Sequence, residues 1–251
     1  MALQAYVEAQ VFGVLLVFAR LGTALMFLPA FGEAQIPARV RLSFALVLGL
    51  ALYPATPVPA ASPGGLAASV GMLAAEVTVG LWIGLTARVL HAALEFAGYQ
   101  IGQIAGLANA LAPGLGSFQG STMVANLLLT GGIAAIFVTD THQVMIRALI
   151  YSYQVFPVGR LILADMAAQI VKAAGASFYI GVTIAAPFLV MGTILNLGLA
   201  LANRMMPSLP VFFVAGSVLI GAALLVLAVS LPEMLHGFLL RFADWFGTFT
   251  L

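Results

Sequence analysis

Seven long apolar stretches, separated by short segments rich in glycine, proline and charged residues, constrain this chain more than any other feature. A helix needs roughly 20 apolar residues to cross the hydrocarbon core of a bilayer, and most of the stretches reach that length. The pattern therefore predicts an all-α fold, a polytopic membrane-type helical protein. The stretches are Ala9–Leu28, Leu42–Tyr53, Leu66–Ala87, Phe96–Ala112, Ser121–Thr139, Ala173–Ala202 and Val211–Leu231.

Two of the stretches depart from a simple membrane span. Leu42–Tyr53 is shorter than a crossing requires, and a proline-rich linker follows it. Ala173–Ala202 is longer than a crossing requires, but it contains Pro187 and Gly192, which predict a kink near its middle. We therefore expect kinked and broken helices. The charged stretch Thr139–Lys172 is expected to connect two spans.

Composition and charge exclude several classes of protein. The chain is 63% hydrophobic and 7% charged, whereas soluble domains are about 45–50% apolar and about 25% charged, so a water-soluble enzyme is excluded. A net charge of +1 provides no basic patch for nucleic acid. The absence of cysteine excludes disulfides and thiolate metal sites. No basic residue precedes the first stretch, so we expect no cleavable signal peptide.

Charged side chains interrupt the predicted spans at Arg20, Glu76 and Arg88. Each ionised group at the centre of a bilayer costs at least ~2.5–3.5 kcal/mol, so we expect them to face protein or a water-filled path. Charges at helix ends reach the membrane surface instead, an interpretation that suits Arg88 and Glu95 better than Glu76. Whether Arg20 and Glu76 pair within the chain or across subunits stays open.

Small residues recur at every fourth position in two segments, which places each set on one helix face. Small residues allow the backbones of membrane helices to approach closely, so we predict helix contacts at both faces. The contacts are made either within this chain or with a partner subunit. The predicted helix-packing residues are Glu76, Gly80, Gly84, Gly98 and Gly102.

Two further patterns resemble reactive sites but lack essential parts. His91 and Glu95 lie four residues apart and lack a third metal ligand nearby, so a hydrogen-bonded pair at a helix end is favoured. His142 and Ser117 suggest a serine protease dyad, but the Gly-x-Ser-x-Gly pattern is missing. The sequence therefore predicts no enzyme, no metal site and no cofactor.

The segment Gly106–Gly120, which reads GLANALAPGLGSFQG, is uncharged and glycine-rich and lies between two apolar stretches. Irregular backbone cannot leave its polar groups unpaired in hydrocarbon, so it must be buried in protein or line an aqueous cavity. These properties favour a pore-lining loop. The alternative is an ordinary periplasmic turn, which would more often carry charged or polar residues.

Five motifs occur in a recognisable order and spacing, and together they extend over nearly the whole chain. They are RLGTALMFLPAFGEAQIPARVRLSFALVLGLALYP, AAEVTVGLWIGL, AGYQIGQIAG, the stretch His142–Gly159 and LGLALANRMMPSLPVFFVAG. In these motifs the chain resembles the FliR family of flagellar biosynthetic proteins. The injectisome counterparts of that family are the SctT family of type III secretion export-gate subunits.

The resemblance implies a structural and gating subunit of the flagellar type III protein export gate, in the bacterial inner membrane at the flagellar basal body. It implies FliP and FliQ as partners that form the channel, FlhB at its entrance, and unfolded proteins as exported substrates. It also implies a FliP-like part at residues 1–160 and a FliQ-like helical hairpin at residues 161–251. The hairpin turn would contain Asn203, Arg204, Pro207 and Pro210.

In that family the loop corresponding to Gly106–Gly120 is a plug that closes the export channel. The family commonly has an Asp-Pro pair there, whereas this chain has Ala112-Pro113, which argues against a charge-based latch. Similarly, its common Pro-Gln is Pro207-Ser208 here. The resemblance implies plug-loop residues Gly106, Asn109, Pro113, Gly114, Gly116, Phe118 and Gly120.

Two alternatives to the flagellar interpretation stay open. One is an injectisome export-gate subunit of the SctT type. The other is a small-molecule secondary transporter, which would place its ionisable residues and broken helices at a site near the bilayer midplane.

Overall fold

The computed structural model describes residues 2–58, 65–106, 119–205 and 211–247. Across these ranges the chain forms seven α-helices and one 3-10 turn, Tyr53–Ala55, and contains no strand. The all-α fold predicted from the sequence is confirmed. The helices are α1 (Ala2–Phe27), α2 (Ala38–Leu52), α3 (Leu66–Ile104), α4 (Gln119–Val138), α5 (Thr141–Val155), α6 (Leu163–Met205) and α7 (Val211–Gly247).

Five segments of the described residues are long and apolar enough to cross a membrane. They are Tyr6–Phe27, Ala38–Ala55, Leu66–Ile104, Leu163–Met205 and Gly216–Gly247. A sixth crossing is available if Met123–Val138 and Thr141–Val155 act together, although these two helices are bent by 76° at the break between them. The break contains Asp140, whose positive φ of 57° turns the backbone out of the helical path.

The sequence predicted separate helices at Leu66–Ala87 and Phe96–Ala112, and this division is wrong. The structure has one continuous helix of 39 residues, α3. Arg88 and Glu95 therefore lie in the interior of a helix, so their predicted positions at helix ends are also wrong. Charged residues lower the local hydropathy, but neither proline nor a turn motif interrupts the stretch, and Arg and Glu are good helix formers.

The charged stretch Thr139–Lys172, predicted to be a connection, contains the helix α5. Its buried residues recur at helical spacing, so the helix presents an apolar stripe to the protein. Polar residues such as Gln143 and Arg147 occupy the remaining positions and mask the stripe in a hydropathy profile. The buried residues are Thr141, Met145, Ala148, Leu149, Ser152 and Tyr153.

The chain divides into two compact units, and each has its own apolar core. Unit 1 comprises residues 1–90, 136–174 and 242–251, and unit 2 comprises residues 91–135 and 175–241. In unit 1 the largest buried apolar residues include Leu16, Leu21, Leu25, Leu28, Leu90, Phe242 and Phe246. In unit 2 they include Leu94, Ile101, Phe188 and Phe238.

Candidate functional site

The interior of unit 1 contains an ion pair between Arg20 of α1 and Glu76 of α3. Arg20 Nε donates to Glu76 Oε2 at 2.7 Å, and Arg20 Nη2 donates to Glu76 Oε1 at 2.9 Å. Both side chains are completely buried, with an exposed fraction of 0%. The planar guanidinium therefore engages both carboxylate oxygens, the geometry that gives arginine–carboxylate pairs their strength and direction. The two residues pair within the chain.

The rest of the guanidinium is satisfied by the end of α5. Arg20 Nη1 donates to Ser152 Oγ at 3.2 Å, and Arg20 Nη2 donates to the carbonyl oxygen of Phe156 at 2.9 Å. The ring of Tyr153 lies under the guanidinium, with its centroid 3.9 Å from Arg20 Cζ. A cation placed over an aromatic face in a desolvated site gains further electrostatic stabilisation.

The carboxylate receives a further donor from the turn after α5. The backbone N–H of Gly159 donates to Glu76 Oε1 at 3.3 Å. Gly159 has a φ of +76°, a conformation that residues with a side chain rarely adopt, and a Cβ there would lie 3.3 Å from Met72 Cγ. We call the group Arg20, Glu76, Ser152, Tyr153, Phe156 and Gly159 the clasp.

A second contact fixes the turn of the clasp against α3. Trp82 Nε1 donates to the carbonyl oxygen of Met166 at 2.8 Å, and the rings of Trp82 and Phe156 meet edge to face at 5.3 Å. Trp82 is one and a half turns beyond Glu76 on the same helix. The stretch from the end of α5 to the first turn of α6 is therefore attached to α3 at two levels.

The clasp joins three elements that are distant in the sequence, and its energetics explain why all its members are needed together. A buried ion pair contributes little net stability compared with well-packed apolar residues, but the loss of one partner leaves an uncompensated charge that costs about 3–5 kcal/mol. The intact clasp therefore adds little net stability, but it keeps its compensation only while α1, α3 and α5 all hold their positions. Among the ionised groups predicted to interrupt the spans, Arg20 and Glu76 are thus a structural pair.

Gly80 and Gly84 continue the face of α3 that begins with Glu76, and both lie against α1. A Cβ at Gly80 would collide with Thr23 Oγ1 and the carbonyl oxygen of Arg20, and one at Gly84 would lie 2.7 Å from the carbonyl oxygen of Ala24. Residue numbers rise together along the two helices, so α1 and α3 run parallel. The contacts at this face are made within the chain.

In unit 2, Gly98 brings α3 against α4. A Cβ at Gly98 would overlap the Cα of Ala125 and would lie 2.6 Å from its backbone nitrogen. One turn further along α3, Gly102 is also buried. A Cβ at Gly181 would meet Phe96, and one at Gly192 would meet Ile104. Helix α6 therefore packs beside the same half of α3.

The remaining charged and histidine side chains of α3 lie in different surroundings. His91 is buried in unit 2 with its ring 5.9 Å from that of Phe238, whereas Glu95 is exposed. Arg88 approaches Glu33, with 3.8 Å between Nη2 and Oε2. The described residues contain no group of three or more potential metal ligands.

His142 lies 3.9 Å from Asp140, and the suggested partner Ser117 lies outside the described residues.

Most of the predicted plug loop lies outside the described residues, including Asn109, Pro113, Gly114, Gly116 and Phe118. The structure describes its two ends. At the first end, α3 stops at Ile104 and Gly106 has a left-handed φ of +69°. At the second end, Gly120 lies in the first turn of α4.

The predicted hairpin turn is described only on its first side. Asn203 and Arg204 lie in the last turn of α6, where the positive charge of Arg204 is favoured by the helix dipole. Pro207 and Pro210 lie outside the described residues. Two cavities in unit 2 are lined by both helices. One lies between residues 180–187 of α6 and 230–241 of α7, and the other between residues 194–199 of α6 and Val218 and Leu219 of α7. Residue numbers rise along α6 as they fall along α7, so the two helices are antiparallel.

Four members of the clasp did not emerge from the sequence: Ser152, Tyr153, Phe156 and Gly159. The first two belong to the buried stripe of α5, which the spacing of Met145, Leu149 and Ser152 would have indicated. Phe156 acts through its backbone carbonyl, which carries no sequence signal. Gly159 is the third residue of a turn in which Arg160 N donates to the carbonyl oxygen of Pro157, a position where glycine is typical of a positive φ.

The chain matches the family described as bacterial export proteins, family 1, over residues 11–245. It is 38% identical over 237 residues to the flagellar biosynthetic protein FliR of Caulobacter vibrioides, covering 91% of this chain and 90% of that protein. Its identity to FliR of Bacillus subtilis is 28% over 225 residues, with coverages of 86% and 84%. Its identity to the Yop proteins translocation protein T of Yersinia pestis is 32% over 171 residues, with coverages of 65% and 64%.

Proposed function

The chain belongs to the bacterial export proteins, family 1, and from this premise we propose that it is a structural and gating subunit of the flagellar type III protein export gate. In this proposal it forms the export channel with FliP and FliQ, has FlhB at the channel entrance, and resides in the inner membrane at the flagellar basal body. Unfolded proteins are its cargo. FliR of Caulobacter vibrioides is matched at higher identity than the Yop translocation protein, and both flagellar relatives are matched over more of the chain, which favours the flagellum over an injectisome.

The observation that carries the proposal is how little of its apolar helices the chain buries by itself. Within the apolar 18-residue stretch that qualifies each helix as a possible membrane span, only 11% of the residues in α2, 22% in α6 and 17% in α7 are buried. Exposed apolar surface of this extent marks contact with lipid or with other subunits. Small exposed residues such as Gly198 and Gly216, where a Cβ would meet nothing, are available for close contact with neighbouring helices.

The clasp weighs against the runner-up function, a small-molecule secondary transporter. A transporter needs ionisable groups that bind an ion or substrate near the midplane. Arg20 and Glu76 are instead buried and satisfied by each other, by Ser152 and by backbone groups. We accordingly propose a scaffold that has no catalytic step and no cofactor.

We propose that residues 106–120 close the channel as a plug, as the family resemblance implies. The segment has no charge, and its glycine and proline content disfavours the regular helix that a backbone facing hydrocarbon needs. The helices on either side of it are packed together, because a Cβ at Gly98 of α3 would overlap the backbone of Ala125 of α4. A glycine-containing segment between two packed helices suits a loop that yields to an arriving chain and then returns.

Assembly tests the proposed role. The tagged chain is purified after expression alone and after co-expression with FliP and FliQ, and its mass is measured by size-exclusion chromatography with light scattering. We expect a monodisperse species only on co-expression, in a complex that contains all three proteins. A monodisperse monomer that does not retain FliP or FliQ would favour the transporter.

Gating is tested by deletion of Ala110–Gly116. We expect the complex to assemble but to leak ions without substrate, while Phe118→Ala, which removes one large apolar side chain of the segment, leaks less. Conductance of bilayers containing the purified complex is the measurement, with the wild-type complex as the matched control. A deletion variant that assembles and holds the ion gradient like the wild type contradicts the plug assignment while leaving the assembly role intact.

A further inference from the structure

The connection between α5 and α6 exposes three consecutive aliphatic side chains. Leu161, Ile162 and Leu163 have exposed fractions of 40%, 44% and 64%. Residues 160–162 belong to neither a helix nor a strand, and α6 begins at Leu163. We call residues 160–163 the strap. Three adjacent exposed aliphatic residues are uncommon on a protein surface unless another surface covers them.

Several backbone groups of the strap have no hydrogen-bond partner within the part of the chain that the structure describes. The N–H groups of Leu161 and Ile162 and the carbonyl oxygens of Arg160 and Leu161 take part in none of its hydrogen bonds. The groups on either side are bonded. Arg160 N donates to the carbonyl oxygen of Pro157 at 3.0 Å, and Met166 N donates to that of Ile162 at 3.0 Å. The strap therefore presents backbone donors and acceptors together with aliphatic side chains.

These backbone groups select protein over lipid as the cover of the strap. Unpaired N–H and C=O groups are not tolerated against hydrocarbon, where nothing can bond to them. Arg160 and Asp165 flank the aliphatic side chains and are exposed, and ionised groups are costly in hydrocarbon as well. Water satisfies the polar groups but leaves the aliphatic surface uncovered. A protein surface can satisfy both.

The two ends of the strap are held in place within unit 1 before any partner binds. On one side, the clasp binds the carbonyl oxygen of Phe156 and the N–H of Gly159. On the other side, the carbonyl oxygen of Met166 accepts from Trp82 Nε1. A surface that is ordered in advance loses less conformational entropy when it binds. The clasp and Trp82 therefore present the strap in a fixed geometry.

We propose that the strap is a docking site for an extended segment of a partner subunit. Such a segment carries N–H and C=O groups along its edge with side chains between them, as in recognition by strand addition. A helix fits less well, because its backbone groups are already paired within the helix. The inference rests on the proposed function, since it takes assembly with other subunits as given. It adds which surface is used and what chemistry the partner brings.

The first experiment uses the absence of cysteine from this chain, which makes Ile162→Cys a unique reporter. Open membrane fragments that contain the chain alone, or the chain with FliP, FliQ and FlhB, are treated with a bulky maleimide that does not enter bilayers. We expect rapid labelling of the chain alone, because water reaches the strap, and about tenfold slower labelling in the complex. Arg147→Cys, at an exposed position of α5 in the same unit, is the matched control and should label alike in both preparations.

A second pair of variants tests the backbone of the strap. Leu161→Ala and Leu161→Pro both shorten the side chain, but only proline also removes the N–H group. The loss of one hydrogen bond to the partner should lower the yield of purified complex about fivefold for Leu161→Pro relative to Leu161→Ala. Each variant is scored only if its amount in the membrane equals that of the wild type.

Cross-linking identifies the occupant. The photoreactive residue p-benzoylphenylalanine replaces Leu163 in the complex, which is prepared without exported substrate, and captured peptides are identified by mass spectrometry. We expect a peptide of FliP, FliQ or FlhB.

Three results would overturn the docking site while leaving the assembly role intact. They are labelling of Ile162→Cys that is equally fast with and without the partners or equally slow in both preparations, slowing of Arg147→Cys to the same extent as Ile162→Cys, and capture of lipid or of this chain itself from position 163. Equal yields from Leu161→Ala and Leu161→Pro would overturn the extended backbone pairing. If the wild-type chain forms no complex at all, the proposed function fails together with the docking site.

Discussion

The first and second halves of helix α3 are held by different interactions. Residues 66–90 belong to unit 1, where Glu76 binds Arg20 through two charged hydrogen bonds inside a protein interior. Residues 91–104 belong to unit 2, where Gly98 meets the backbone of Ala125 and no side chain separates the two helices. The first half is held by directed hydrogen bonds between charged groups, and the second by close backbone packing that is possible because Gly98 has no side chain.

The comparison shows two solutions to one difficulty of membrane helices. Between helices in lipid the hydrophobic effect contributes little, so contacts depend on close packing and on polar groups that have no other partner. A charged clasp tolerates loss of the whole pair better than loss of one member. A close contact at a glycine contains no hydrogen-bonding or charged partner that a substitution could remove, and it is disrupted when a larger residue replaces the glycine. The two regions should therefore respond to different substitutions.

The largest effect is expected for Glu76→Ala. The substitution leaves the buried guanidinium of Arg20 without its carboxylate, which should lower stability by about 3–5 kcal/mol. The apparent melting temperature of the purified complex in detergent is the measurement. Because the pair is completely buried, the loss should persist at high salt, whereas a solvated glutamate would give a small and salt-dependent change.

The double variant Arg20→Met with Glu76→Leu is the control for that prediction. It removes both charges and keeps apolar volume, so it should recover most of the stability lost in Glu76→Ala. If the double variant is no more stable than Glu76→Ala, the clasp is not a compensated pair, and the assignment of the charged half of α3 is wrong.

The next largest effect is expected for Gly98→Leu. Its side chain would have to occupy the space taken by the backbone of Ala125, so the helices must separate, at a cost of about 3 kcal/mol. Gly71→Leu is the matched control, because it lies on the same helix and a Cβ there meets nothing within 4 Å. Native gels of the assembled complex measure the outcome. Equal yields of complex from the two variants would show that the contact at Gly98 is not required.

Parts of both regions could be predicted from the sequence, for physical reasons. The cost of an ionised group in hydrocarbon correctly indicated that Arg20 and Glu76 face protein. The spacing of Gly80, Gly84 and Gly98 predicted helix contacts, and a Cβ at each of these positions would meet a neighbouring helix. Both inferences depend on local spacing and on transfer energies, which a single sequence contains.

Other parts could not be predicted, because they depend on contacts between distant residues. Arg20 and Glu76 are 56 positions apart, and no local pattern pairs them. The acceptor at Phe156 is a backbone carbonyl, which every residue has. A hydropathy profile divides α3 at Arg88 and Glu95 and conceals α5, although helical periodicity continues through both helices. A charged residue lowers the hydropathy of a helix without ending it.

A smaller effect is expected for Ser152→Ala within the clasp. The substitution removes the acceptor of Arg20 Nη1 at 3.2 Å but leaves the carboxylate and the Phe156 carbonyl in place. The loss of one hydrogen bond to a charged group should cost about 1.5 kcal/mol. Ser43→Ala is the control, since its exposed hydroxyl donates to the carbonyl oxygen of Arg39 on its own helix. If both variants melt alike, Ser152 is not a working member of the clasp.

The smallest effect is expected for Tyr153→Phe, and its comparison with Tyr153→Leu isolates what the aromatic ring contributes. The ring centroid lies 3.9 Å from Arg20 Cζ, and phenylalanine retains a π face there, whereas leucine has none. The hydroxyl is buried and has no hydrogen-bond partner among the described residues, so its removal deletes a group that burial leaves unsatisfied. Tyr153→Phe should therefore leave the melting temperature of the complex unchanged or slightly raised, while Tyr153→Leu should cost about 1–2 kcal/mol.

The control repeats both substitutions in the background of the double variant Arg20→Met with Glu76→Leu. No cation remains there, so the difference in stability between phenylalanine and leucine at position 153 should shrink. If the difference in stability between phenylalanine and leucine is as large without the cation as with it, Tyr153 contributes by packing and not by stabilising the charge of Arg20. The first half of α3 would then depend on close packing, as the second half does at Gly98.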